Sequence, residues 1–211
     1  MLTSHLALLN HAAGRRIGLL GGSFNPAHDG HLFVSRAALE RLDLDEVWWL
    51  VSPQNPLKTT AGMAPFAARL KAARSFVDLP NVVVTGLEQD LGTRYTADTV
   101  TQLQRRCHDT RFVWLMGADN LASVHRWRHW ETIFERVPVA VFDRSPYSFS
   151  CLASRAAVRF RRHRLRTWRA RGLVDTTPPV WTFILGPRHP ASATAIRAGD
   201  TRFGHAGETD N

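Results

Sequence analysis

The sequence is poor in cysteine and has no long apolar run. Its 211 residues contain two cysteines, Cys107 and Cys151, which lie far apart and lack the spacing of a metal site. This usage predicts reduced thiols in a cytoplasmic protein. No run is long enough to span a bilayer, and the start lacks the basic segment of a signal peptide. We therefore expect no membrane association, a leader over 1–14 that need not be ordered, and one domain over 15–211.

Acidic residues are scarce relative to basic ones. The chain has 27 Lys and Arg against 18 Asp and Glu, a formal net charge of +9. Such a field favours nucleotides, phosphorylated metabolites or nucleic acid as partners, without choosing among them. The charge is concentrated in residues 154–172, which carry eight arginines and no acid. The simplest interpretation is a solvated surface helix, and the alternatives are a nucleic-acid patch or a docking face for an acidic partner.

Short apolar runs alternate with amphipathic stretches along the chain. Helical spacing is found over 31–42, 65–77 and 96–107. Runs rich in β-forming residues predict strands over 16–21, 46–52, 81–86, 111–117, 137–143 and 180–185. The alternation predicts an α/β fold with a Rossmann-like, doubly wound parallel sheet of five to six strands, buried on both faces, in a single domain. Ligands of such sheets bind beyond the carboxyl ends of the strands.

The loop "GGSFNPAHDGH", residues 21–31, follows the first predicted strand. It matches neither the G-x-G-x-x-G fingerprint nor the P-loop. A glycine-rich backbone that leads into a helix start still makes an anion site. His28 and His31 are three residues apart and share one side of that start, where both can donate hydrogen bonds to phosphate and carry positive charge. A zinc site, which needs more ligands than the sequence shows, and a purely structural histidine pair are the alternatives.

This loop and four later segments resemble the HxGH nucleotidyltransferases, and in particular the bacterial nicotinate mononucleotide adenylyltransferases. The loop fits G-G-[ST]-F-[DN]-P-x-H-x-G-H, with Asn25 where many members have Asp. The later segments follow in the family's order: "PQNPLK" (53–58), "RYTADT" (94–99), "GADNLASVHRW" (117–127) and "SATAIR" (192–197). In the last of these, Ala193 stands where many members have Ser or Thr.

The resemblance implies adenylyl transfer from ATP to nicotinate mononucleotide in NAD biosynthesis, giving nicotinate adenine dinucleotide and pyrophosphate. It implies Mg²⁺ only as a companion of ATP, no resident metal site and no required nucleic acid, and it leaves a homo-oligomer open. The catalytic residues that it implies are His28, His31 and Arg197. The implied ATP-binding residues are Gly21, Gly22, Ser23, Phe24, Lys58, Ser192 and Thr194. The implied mononucleotide-binding residues are Tyr95, Thr96, Asp119 and Trp127, and Arg144 is a further candidate because it follows the fifth predicted strand.

Several of these residues also have a simpler structural interpretation. Lys58 could be a solvated loop lysine, Asp119 the N-cap of the helix that follows it, and Trp127 a core residue. "SATAIR" taken alone is typical of a capped helix. Other functions stay open as well: a nicotinamide mononucleotide or pantetheine phosphate acceptor, or a basic protein that binds nucleic acid.

Overall fold

The central element of the structure, a computed structural model that describes residues 6–53, 62–143 and 149–185, is a parallel sheet. Its strands are β1 Arg16–Gly22, β2 Glu46–Val51, β3 Val82–Thr85, β4 Arg111–Gly117, β5 Val139–Phe142, β6 Arg164–Leu165 and β7 Trp181–Ile184. They pair in parallel throughout, in the order β3-β2-β1-β4-β5-β7-β6. The predicted doubly wound α/β fold is confirmed, and the described sheet has seven strands rather than five to six.

Helices connect the strands and cover the sheet. They are α1 Ala7–His11, α2 Asp29–Leu42, α3 Phe66–Phe76, α4 Leu87–Asp90, α5 Thr96–Arg106, α6 Ala118–Ser123, α7 Trp130–Arg136 and α8 Arg155–Arg159. The three predicted helices correspond to α2, α3 and α5. None of the helices within the described ranges has the length and apolar character needed to cross a membrane.

The core lies on both faces of the sheet. Trp48 and Trp49 are neighbours in β2, point to opposite faces and are both fully buried. The Trp48 side continues into α5 and α7 through Leu103 and Ile133. The Trp49 side continues into α2 and α3 through residues that include Leu32. This arrangement explains the continuous apolar character of the strands, since alternate side chains enter two different cores.

The strand order places one crevice at the middle of the sheet. The chain runs from β1 outward through β2 to β3, and then returns to the other side of β1 to form β4. The connections therefore diverge from the carboxyl ends of β1 and β4. In open α/β sheets this switch point is where ligands bind. The loop with the two histidines begins at the end of β1, so the fold brings it to this crevice.

The predicted leader contains a helix that packs on the sheet. Ala12, just after α1, is fully buried. Glu46, the first residue of β2, accepts a hydrogen bond from Arg15 at 2.8 Å and lies 2.7 Å from Nε2 of His11. Its other oxygen accepts from the indole of Trp48 at 2.9 Å. The leader from residue 6 onward thus packs at the end of the sheet where strands β1 and β2 begin.

The arginine-rich stretch is not one helix, which corrects the simplest interpretation of its sequence. It contains α8, a short 3-10 turn, strand β6 and a longer 3-10 segment over 167–175. Its arginines are all exposed, while small and aromatic residues such as Phe160 and Ala170 are buried. The helix ends at Arg159, and Arg164 and Leu165 form the edge strand β6, which pairs with β7. The guanidinium of Arg164 also lies over the ring of Trp181, 5.3 Å from its centroid.

We predict that the exposed arginines of this stretch are dispensable for turnover. Changing Arg161, Arg162 and Arg166 to Gln should leave the free energy of unfolding within about 0.5 kcal/mol of wild type, since these side chains are exposed. Arg164 is left intact because it packs over Trp181. Retention on DNA should fall, and kcat/KM should drop modestly at low salt through lost electrostatic steering.

The measurements are kcat and kcat/KM at two salt concentrations, together with retention on a DNA column. A triple variant that changes exposed arginines elsewhere, Arg105, Arg106 and Arg136, to Gln removes the same charge and serves as the control. Loss of kcat at both salt concentrations in a folded 161/162/166 variant would show that the stretch belongs to the active site.

Candidate active site

The two histidines of the loop cap the amino end of α2 reciprocally. His28 is the N-cap, and its Nδ1 accepts a hydrogen bond from the backbone N–H of Gly30 at 3.1 Å. His31, three residues later, accepts at Nδ1 from the backbone N–H of His28 at 3.2 Å. The ring centroids are 3.9 Å apart. This is the geometry of a capping box built from imidazoles, and it satisfies backbone donors that a helix start leaves without intrahelical partners.

The capping bonds fix the tautomer of both rings. A ring nitrogen that accepts a hydrogen bond carries no proton, so the neutral imidazole of each residue bears its hydrogen on Nε2. His28 is 3% exposed. The capping geometry therefore describes each ring with Nδ1 as the acceptor and Nε2–H as the donor. Sequence analysis had also allowed each ring to carry positive charge.

The buried ring of Phe24 packs between the rings of His31 and Trp49. It is 2% exposed, and its ring centroid lies 4.6 Å from that of His31 and 4.9 Å from that of Trp49, on which it stacks. The indole of Trp49 donates to Ser35 Oγ at 2.8 Å, and Ser35 Oγ donates to the His31 carbonyl at 2.9 Å. The Phe24 side chain, predicted to be at the ATP site, is therefore packed beneath the histidine.

Gly21 and Gly22 leave room for two aromatic rings next to the loop, and the space is tightest at Gly21. A Cβ on Gly21 would lie 2.5 Å from the ring of Trp114, and one on Gly22 would lie 3.2 Å from the ring of Phe24. These contacts explain both glycines without a ligand, in addition to the close backbone approach that the sequence predicts. Ser23 follows at the end of β1, and its carbonyl accepts a hydrogen bond from Arg69.

Asn25 connects the histidine loop to the residues that precede α3. Its Nδ2 donates to the carbonyl of Gly62 at 3.1 Å, and its Oδ1 accepts from the backbone N–H of Ala64 at 3.3 Å. A carboxylate has no hydrogen to donate to Gly62. The departure from the family's Asp thus has a local reason in this chain.

A second group of predicted residues lies at the start of α5 and after α6. Tyr95 is the N-cap of α5 and Thr96 its first residue, and both are half-buried. The guanidinium of Arg128 lies over the Tyr95 ring, 5.0 Å from its centroid. Trp127 is half-buried and meets Trp114 edge to face, with ring centroids 6.5 Å apart. Because Trp114 also abuts Gly21, it joins this group to the histidine loop.

Asp119 lies at the carboxyl end of β4, next to β1 in the sheet. It is exposed and sits in the first turn of α6, whose N-cap is Gly117. The interpretation of Asp119 as an N-cap is therefore wrong. Its place at the switch point agrees with a ligand-facing carboxylate.

Five predicted residues lie outside the described residues: Lys58, Arg144, Ser192, Thr194 and Arg197.

Within the described ranges, no group of three or more His, Cys, Asp or Glu could hold a metal ion. Cys107 and Cys151 are both buried, and burial raises the pKa of each thiol.

Glu88 is a buried carboxyl that sequence analysis missed. It lies in α4, just beyond β3, and is 5% exposed. It accepts hydrogen bonds from Thr99 Oγ1 at 3.2 Å and from the side chain of Ser52, which follows β2. Burial raises its pKa to about 7, against the smaller opposing effect of these bonds. Nothing in the polar segment "LEQD" distinguishes this glutamate from a surface residue.

We predict that Glu88→Gln stabilises the protein in a pH-dependent way. A carboxyl whose pKa is higher in the folded than in the unfolded state weakens the fold as pH rises from about 4.5 through 7. The variant should gain about 2–3 kcal/mol in the free energy of unfolding at pH 8 and little at pH 5. Denaturant unfolding at both pH values measures this difference, with the exposed Glu135→Gln as the control. A gain, or a loss, of equal size at both pH values would contradict the assignment.

A family model and two named relatives match most of this chain. The family model described as cytidylyltransferase-like matches residues 19–199. A protein of Methylorubrum extorquens (strain PA1) is 50% identical over 182 residues, which are 86% of this chain and 98% of the relative. One from Bradyrhizobium sp. (strain ORS 278) is 49% identical over 185 residues, 88% of this chain and 96% of the relative. Both are named probable nicotinate-nucleotide adenylyltransferase.

Solved structures agree on the fold. The nicotinic acid mononucleotide adenylyltransferase of Plasmodium falciparum, complexed with NaAD, superposes with a TM-score of 0.66 at 15% identity, covering 87% of this chain and 83% of that one. The same enzyme complexed with APC gives a TM-score of 0.63.

Proposed function

This chain belongs to the nicotinate-nucleotide adenylyltransferases, and we propose that its reaction takes place at the loop between β1 and α2. The enzyme transfers the adenylyl group of ATP to nicotinate mononucleotide, forming nicotinate adenine dinucleotide and pyrophosphate in NAD biosynthesis. The observation that carries the placement is the reciprocal capping by His28 and His31. It leaves Nε2 as the N–H donor of both rings, in the loop that follows β1 at the switch point of the sheet.

The chemistry needs positioning and charge stabilisation more than proton transfer. An oxygen of the mononucleotide phosphate attacks the α-phosphorus of ATP, and the bond between that phosphorus and the bridging oxygen to the β-phosphate breaks. A phosphate is already a nucleophile at neutral pH, so no general base is required. Negative charge accumulates on the departing pyrophosphate, and preorganised donors stabilise it. Imidazole N–H groups beside a helix start supply donors of this kind.

We assign the histidines to the phosphates of ATP. The Nε2–H groups of His28 and His31 donate to phosphate oxygens, and the positive end of the 14-residue helix α2 adds to the attraction. Neutral rings suit this role, because they stay bound to the backbone at Nδ1 while they donate at Nε2. From the family resemblance, Lys58, Ser192, Thr194 and Arg197 complete the phosphate contacts.

Mg²⁺ is proposed to arrive with ATP. Mg²⁺ prefers oxygen ligands, and the described residues around the loop offer the separate carboxylates of Asp29 and Asp119 rather than a group of three or more metal ligands. These residues fit an ion that phosphate oxygens and water hold, and whose charge offsets that of the phosphates.

The mononucleotide is proposed to occupy the crevice between α5 and α6. Trp127 stacks on the pyridine ring, and the backbone at Tyr95 and Thr96 reads the carboxylate at the start of α5. Asp119 accepts hydrogen bonds from the ribose. The contact between Arg128 and Tyr95 supports the assignment, because it places a positive charge beside this helix start. Arg144 is a further proposed contact, based on its place after β5 in the sequence.

We predict that His28→Asn and His31→Gln lower kcat about 100- to 1,000-fold, the effect of losing one preorganised donor. Asn is a strong N-cap and Gln suits the third position of a capping box, so both variants keep the helix start intact. Asn is too short to place a donor where Nε2 of His28 lies, and the flexible Gln amide, whose oxygen takes over the capping bond, does not hold its NH2 group in the fixed direction of the imidazole Nε2–H. The assay is ATP-dependent release of pyrophosphate with nicotinate mononucleotide, run beside thermal unfolding. Near wild-type turnover in both folded variants would contradict the assignment.

We predict that Trp127→Ala weakens mononucleotide binding by about 1–3 kcal/mol, the scale of stacking a base on an aromatic ring. ATP binding should stay close to wild type, and Trp127→Phe should recover part of the loss. Separate titrations with each substrate measure the effect. Equal losses for both substrates together with a lower melting temperature would instead make Trp127 a core residue that packs on Trp114.

A further inference from the structure

Arg69 is a buried cation beside the histidine loop. It lies in α3 and is 2% exposed. Its Nε donates to the carbonyl of Ala64 at 2.9 Å, and Nη2 donates to that of Pro53 at 2.8 Å. Its Nη1 donates to the carbonyls of Ser23 and Ser52. No ion pair of Arg69 with a carboxylate occurs among the described residues, so backbone oxygens provide the compensation seen there.

The four carbonyls come from three separate segments. Ser23 follows β1, Ser52 and Pro53 follow β2, and Ala64 precedes α3. A buried charge is tolerated only when its donors are satisfied, and the planar guanidinium fixes the direction of each bond. Burial lowers the pKa of Arg69, but a guanidinium stays protonated. Arg69 therefore holds the carboxyl ends of β1 and β2 in a set orientation.

The bond to Ser23 bears directly on the catalytic loop. It fixes the peptide between Ser23 and Phe24, and Phe24 has the left-handed backbone angle φ of 46°, which is uncommon for an aromatic residue. The Phe24 ring lies against His31. A continuous path thus runs from the guanidinium through one peptide and one ring to the imidazole.

We propose that Arg69 is a positioning residue for adenylyl transfer, which holds Ser23 and Phe24 so that His31 is aimed at the phosphates. This proposal rests on the proposed function of the histidine loop. A displacement of the imidazole by about 1 Å is enough to lower a rate 100-fold, because donors stabilise the transition state only when correctly placed. Trp127 and Tyr95 are reached by a different route through Trp114, so the mononucleotide site should be little affected.

The test compares Arg69→Lys with Lys71→Gln, an exposed position on the same helix. A lysine keeps the charge but is a single flexible ammonium group that lacks the fixed fork of a guanidinium. Arg69→Lys should lower kcat about 10- to 100-fold at temperatures where circular dichroism shows it folded, with KM for nicotinate mononucleotide within about twofold of wild type. Lys71→Gln should match wild type. A folded Arg69→Lys variant with normal kcat overturns the proposal.

A double-variant cycle separates positioning from a general loss of stability. If Arg69 acts through His31, Arg69→Lys should have little further effect on kcat in the His31→Gln background. Multiplicative losses in kcat would overturn the proposal while leaving the role of His31 intact. A normal kcat for His31→Gln alone would instead contradict the proposed function.

A second variant covers the case in which Arg69→Lys does not fold. Phe24→Leu leaves Arg69 in place and removes the ring that lies against His31. It should reproduce the fall in kcat with an unchanged KM for the mononucleotide. A folded Phe24→Leu variant with wild-type kcat overturns the proposed path.

Discussion

Burial of the central sheet on both faces is the constraint on which the rest of the structure depends. Trp48 and Trp49 lie back to back in β2, and each needs a separate layer of helices to cover it. Parallel strands require crossover connections, and these connections supply both layers. Because β2 and β3 lie on one side of β1 and the later strands lie on the other, the connections that leave β1 and β4 run in opposite directions. They leave a crevice between them at the carboxyl ends of these two strands. The crevice at the switch point, where we propose that the reaction takes place, is a consequence of this packing.

Ser52 forms hydrogen bonds to three different parts of the structure near the crevice. Its backbone N–H donates to the carbonyl of Gly22 at 2.9 Å, its own carbonyl accepts from Arg69, and its side chain donates to Glu88. One residue after β2 thus connects the histidine loop, a buried cation and a buried acid. Both groups are costly to bury, and hydrogen bonds from the strand ends offset part of that cost. The loops at the carboxyl ends of β1 and β2 are held by hydrogen bonds, whereas the strands themselves are held mainly by apolar packing.

Much of the fold could be read from the sequence because it is encoded in local patterns. The six apolar runs correspond to strands, and Leu103 and Val100 mark the buried side of α5 as their spacing predicts. Strand β6 was not predicted, because a two-residue strand that begins with an exposed arginine has no apolar pattern. The burial of Arg69 and Glu88 was not predicted for a different reason. Their burial depends on carbonyls and hydroxyls contributed by distant segments, which composition and periodicity do not reveal.

The attachment of α1 has a practical consequence for handling the enzyme. His11 and Arg15 contact Glu46 at the amino end of β2, whereas the proposed substrate crevice lies at the carboxyl ends of the strands. An immobilisation linker attached to an exposed residue of α1, such as Asn10, would therefore lie at the opposite end of the strands from the proposed substrate crevice.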